Sequence, residues 1–180
     1  MNVKLGFLRE LNWTGFLKNH TLDQEDPHKK WGDLNRLETV ICLEKVLNAC
    51  YQTMGGMVHN LSFRNECQRF EKQAQHHQGA LSRTFPLSRE SEITIEDKLY
   101  QYQVQLSSSY LNLSAVINFA INLSAYKIDI YRELSLKDKE HRKLINQFLD
   151  DSKEEMSFLR RERNYHLNNS TNKQLEVLLN

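Results

Sequence analysis

From Leu34 onward the chain repeats apolar residues every three or four positions, and nowhere sustains the every-second-residue alternation of a half-buried strand. Leu37, Ile41, Val46, Leu47, Cys50, Met54 and Met57 form the first such stripe, which continues more weakly through Leu61 and Phe70 to Gly79. The spacing predicts a long helix, kinked or split at Gly55-Gly56. A second stripe runs through Leu99, Tyr102, Leu106, Tyr110, Leu113, Ile117, Ile121, Ile128 and Tyr131, opened by a capping-box pattern at Thr94 and Asp97. A third carries Leu144, Ile145, Phe148, Leu149, Met156 and Leu159 after a similar start signal at Ser135 and Asp138. Asp150, Asp151 and Ser152 either break it or face water. Residues 79–95, with Gly79, Pro86 and scattered Ser and Arg, read as a connector.

These stripes predict an all-α protein, an antiparallel bundle of four or five long helices. Residues 1–33 read as an N-terminal helix or arm followed by a loop, and residues 34–180 as the bundle, within a single domain overall. Twenty-four Lys and Arg against 23 Asp and Glu leave a formal charge of +1, so contact with a nucleic acid has to come from a local patch. The most apolar stretch, residues 111–131, is interrupted by Asn112, Asn118, Asn122, Lys127 and Asp129 and predicts no membrane span. Cys42, Cys50 and Cys67 are odd in number and lack paired spacing, which excludes a disulfide scaffold or zinc ribbon and suggests reduced thiols in the cytoplasm.

Chemistry concentrates in residues 158–169, the densest run of Arg, His and amide side chains. On a helix, Phe148, Ser152, Met156, Leu159, Arg163 and His166 fall within about 80° of one another, so the face that buries Phe148 next presents Arg163 and His166. Polar groups on such a face either pair with each other or line a cleft. Imidazole can move a proton near neutrality and guanidinium can neutralise charge on phosphate oxygens, which together suit a phosphodiester. The structural alternative is that the Arg residues complement a helix C-terminus that Asn168 and Asn169 end.

Arg161 to His166, or Arg160 to His166, fits the Arg-x4-6-His motif of HEPN domains, and the helical pattern over residues 34–170 resembles that superfamily. The resemblance implies a HEPN-like bundle acting as a homodimer, with single-stranded RNA as substrate and a cognate antitoxin or regulatory protein as a further partner. It also implies cleavage without metal or other cofactor. His166 would be the acid/base and Arg161, or Arg160, the phosphate-stabilising residue, with Arg163 and Asn164 beside them as substrate contacts. The chain departs from the family pattern at Glu162, directly after the motif Arg, and at Asn168, where toxin-type members carry Tyr. The competing expectation is a non-catalytic helical module that binds protein or RNA.

Other residues carry weaker signals. His59, His76 and His77 lack an evident ligand set, since neighbouring histidines point about 100° apart on a helix. The tyrosines of the second stripe suit a core or an interface better than base stacking, and the stripes at 106–131 and 144–166 are the expected dimer surfaces.

Overall fold

The computed structural model describes the backbone of residues 35–108 and 112–179, and the side chains of 35–100 and 112–166. The expected N-terminal arm, Leu106, Tyr110 and Asn168 therefore lie outside what is described of backbone or side chain. Five helices follow one another: α1 (Arg36–Met57), α2 (Leu61–Thr84), α3 (Arg89–Ser108), α4 (Leu113–Lys137) and α5 (Arg142–Leu179). There is no strand among the described residues. The all-α expectation holds, and the helices pack on one another as a bundle.

The pairing is antiparallel, as the side-chain partners show. Between α1 and α2, Glu44 meets His77, Asn48 donates to the Glu71 carbonyl and Tyr51 stacks on Phe70, so partner numbers fall as residue numbers rise. Between α4 and α5 the same inversion links Lys127 to Glu155 and Tyr131 to Phe148. Helices α2 and α5 meet through Phe70 and Phe158, with ring centroids 5.1 Å apart, and through Arg69 and Glu154 at 3.0 Å. Helix α3 packs against α1.

Several boundaries differ from the sequence expectation. Gly55 and Gly56 stay inside α1, and the break falls at residues 58–60, where Asn60 accepts the Phe63 amide at 3.1 Å to cap α2. A glycine in a helix costs only about 1 kcal/mol, less than a competing cap can direct. Helix α3 starts at Arg89 and not at Thr94. Ser88 accepts the Ser91 amide at 3.1 Å, while the Thr94 hydroxyl bonds back to the Glu90 carbonyl at 3.0 Å. The second stripe is two helices, because Asn112 opens a new one by accepting the Ser114 amide at 3.0 Å. Ser135 lies within α4, and Asp138 accepts the His141 amide at 3.0 Å just before α5. Asp150 to Ser152 do not interrupt α5; the Ser152 hydroxyl donates to the Phe148 carbonyl at 2.7 Å and the helix runs on.

The core draws on much of the two stripes expected as dimer surfaces. Val116, Ile117, Ala120, Ile130 and Tyr131 from α4, and Ile145, Phe148 and Leu159 from α5, are at most 1% exposed within this one chain. Those side chains are covered by the chain's own helices, each large apolar one contributing about 1.5–3 kcal/mol by leaving water, while Leu113, Leu144, Leu149, Arg163 and His166 of the same stripes are half-buried.

Candidate functional site

Two groups of polar side chains stand out, and only one was visible in the sequence. At the centre of the bundle, Glu44 of α1, His77 of α2, Ser124, Lys127 and Tyr131 of α4, and Glu155 of α5 are all buried. Lys127 Nζ donates to Glu155 Oε2 at 2.7 Å and to Glu44 Oε2 at 3.2 Å. The Tyr131 hydroxyl donates to Glu44 Oε1 at 2.7 Å, and the Ser124 hydroxyl donates to Glu155 Oε1. His77 faces Glu44 Oε1 through Nδ1 and Asp151 Oδ2 through Nε2, each at 3.0 Å. With both ring nitrogens against carboxylates, both act as donors, which is the imidazolium form. Asp151 is the member of this network that reaches solvent, its side chain 29% exposed.

The electrostatics follow from this packing. Burial alone would push the Glu44 carboxyl up, but Lys127, His77 and Tyr131 together hold it below its usual range. Burial alone would pull Lys127 down, and Glu155 and Glu44 raise it instead. His77 is likewise raised, the Glu44 and Asp151 carboxylates outweighing desolvation. Burial pushes the Tyr131 phenol well up, reinforced by Glu44.

The second group is the Arg/His segment, which stays helical in α5. Arg161 is exposed, its Nε 3.3 Å from Glu162 and its guanidinium 5.5 Å over the Phe158 ring. Arg160 and Asn164 are exposed, and Arg163 is half-buried with Nε buried and unbonded. His166 is half-buried, edge-on to Phe63 of α2 with ring centroids 6.2 Å apart. The expected stripe is real: Phe148, Ser152, Met156 and Leu159 are buried, and Arg163 and His166 continue it at half burial. Arg161 and His166, however, lie about 140° apart around α5, so the fold does not bring the two motif side chains together on one face.

Arg160 instead joins a groove between α4 and α5 of about 390 Å³, lined by Ala125, Ile128, Asp129, Arg132, Lys153, Met156, Ser157 and Arg160. Sequence reasoning missed Arg132 and Lys153, because nothing in the local pattern of α4 points toward α5.

Among the described residues no three His, Cys, Asp or Glu side chains are arranged to hold a metal ion, and no helix is long and apolar enough to cross a membrane. His76 and His59 are exposed, while His77 is committed to its two carboxylates. The three cysteines are free and buried, and burial pushes the Cys42 thiol up to about 11 and Cys67 up to about 12. No family model, curated protein or solved structure matches the chain.

Proposed function

We propose that this chain is a HEPN-like RNA endonuclease of the cytoplasm whose site is completed by a second copy, with a regulatory protein as a further partner. The observation that most supports the reading is the division of the Arg/His segment over two faces of α5. Arg161 looks into solvent, and His166 lies against Phe63 with its face shared by α2. One chain cannot aim both at the same phosphate, whereas two chains related by a two-fold axis can each supply one. The chemistry is that of a phosphodiester beside its own 2′-hydroxyl. His166 takes the hydroxyl proton, the 2′-oxygen attacks phosphorus, the P–O5′ bond breaks and the 5′-oxygen takes a proton from water while the His166 imidazolium returns its own to solvent, giving a 2′,3′-cyclic phosphate and a 5′-hydroxyl. The guanidinium of Arg161 from the other copy neutralises charge on the non-bridging oxygens.

The test uses the full chain and a labelled single-stranded RNA in the presence of chelator. His166→Ala and Arg161→Ala should each lower cleavage by about 10²–10⁴-fold. Arg161→Lys should also fail, since an ammonium lacks the planar fork. Mixing the two inactive alanine variants should restore cleavage, because a mixed dimer holds one intact Arg/His pair. A monomeric mass by light scattering, or mixed variants that stay inactive while the parent cleaves, would remove the composite site.

The second reading is a non-catalytic binding module, favoured by the Arg161 Nε contact to Glu162, which places a carboxylate where a phosphate would have to sit. RNA binding without turnover by the parent decides for it.

A further inference from the structure

The groove between α4 and α5 is built from two helix faces that hold neither Arg161 nor His166. On α5, Lys153, Ser157, Arg160 and Asn164 recur at four-, three- and four-residue spacing and share one exposed stripe. On α4, Ala125, Ile128 and Arg132 supply the facing wall. Ile128 and Met156, 7% and 6% exposed, make an apolar floor, and Arg132, Lys153 and Arg160 make a cationic rim. The carboxylate lining the groove is Asp129, bonded to Arg132 at 2.8 Å; Lys153 is bonded to Asp150 at 2.7 Å. Both are exposed pairs three residues apart on one helix, worth well under about 1 kcal/mol, so an incoming phosphate can displace them. Arg160 makes no ion pair among the described residues.

We infer that this groove, through Arg132, Lys153 and Arg160, binds the backbone of a single-stranded nucleic acid, with a base or ribose on the Ile128–Met156 floor. Lys153 and Arg160 are two helical turns apart, about 10 Å along α5, which fits a ligand carrying more than one phosphate better than a lone anion. The apolar floor adds contacts that a bare polyphosphate cannot use. The inference rests on the ribonuclease reading only in taking RNA as the ligand, and it adds a geometric consequence. His166 lies about 120° around α5 from Arg160, on the α2 side, so RNA held in the groove does not run over the His166 of the same chain.

Fluorescence anisotropy of a labelled 12-nucleotide oligouridylate, titrated with the full chain over a range of salt, tests this. The combined Arg132→Gln, Lys153→Gln and Arg160→Gln variant should bind at least tenfold more weakly at low salt. Its slope of log affinity against log salt should be shallower by about 2, given a contribution of about 0.7 per phosphate contact. A control losing the same charge elsewhere, Lys72→Gln with Arg83→Gln and Arg89→Gln, should keep the parent slope. Circular dichroism of the groove variant establishes that it folds, which its exposed positions favour. Parent-like binding by the groove variant, an equal loss in the control, or competition by tripolyphosphate as strong as by unlabelled oligouridylate would overturn the inference. If the parent binds through the groove but never cleaves, the ribonuclease reading falls and the groove stands. If it cleaves while the groove variant binds normally, the reverse holds.

Discussion

Glu44 on α1 and His77 on α2 meet at 3.0 Å deep in the bundle, their side chains 0% and 1% exposed. The same Glu44 oxygen also accepts the Tyr131 hydroxyl, and its other oxygen accepts Lys127. One carboxylate therefore joins three helices, and its neighbours decide how the whole fold responds to pH, substitution and reagents.

The first response is to pH. His77 is raised above its ordinary value of 6.5, so the folded state holds a proton that the unfolded chain releases at lower pH. Its contribution is fully present below pH 6.5 and is lost as pH rises through the folded value. Glu44, lowered from 4.5, contributes above its unfolded value and loses that contribution as pH falls. Urea unfolding across pH should show a stability maximum on the acid side of neutrality with a decline above it. His77→Gln should flatten the alkaline decline; an unchanged slope would show that His77 is not the group responsible.

Lys127→Met should be severely destabilising, by about 3–5 kcal/mol, because it leaves Glu155 buried without its cation and Glu44 with His77 alone. Adding Glu155→Gln should recover part of the loss, since the carboxylate left without a cation is then neutral. A double-mutant cycle on urea midpoints measures this coupling, and strictly additive losses would contradict it.

Native thiols should react slowly. Cys42, Cys50 and Cys67 are buried with raised pKa values, which removes both access and thiolate. An aromatic disulfide reagent at pH 8 should label them on the timescale of unfolding, and rapidly in denaturant. Prompt labelling of the folded protein would show that the α1–α2 core opens.

Gly56→Ala should stabilise the protein by about 0.5–1 kcal/mol. The position is an exposed one inside α1, and an added Cβ meets nothing within 4 Å. Thermal unfolding checks the sign; a lower midpoint would mean that the glycine is needed for a bend or a close approach.

The helices were legible in the sequence because apolar spacing is a local signal, and Ile145, Phe148, Met156 and Leu159 of the third stripe are buried, as is Ser152, which was expected to break it or face water. Their ends were less so. Ser88 and Asn112 outcompete Thr94 and the continuous apolar run because capping is decided by one hydroxyl or amide reaching one backbone N–H. Helical angles placed Arg163 and His166 on the face of Phe148, but the groove that Arg160 shares with Arg132 depends on the packing of α4 against α5. The central network was invisible for the same reason. Glu44, Lys127 and Glu155 each look like ordinary solvent-facing charges until three separate helices bring both carboxylates within 3.2 Å of the Lys127 ammonium.

Lys127 also bears on the ancestry of the fold. An apolar bundle core drifts freely, since many combinations of Leu, Ile and Val fill one volume and erase the record of descent. A buried cation holding two acids does not drift freely one letter at a time, because each single change takes a partner from a buried charge. Glu44, His77, Lys127, Tyr131 and Glu155 should therefore be inherited or lost together, and these five letters at their spacings would identify kin whose apolar positions have diverged beyond recognition.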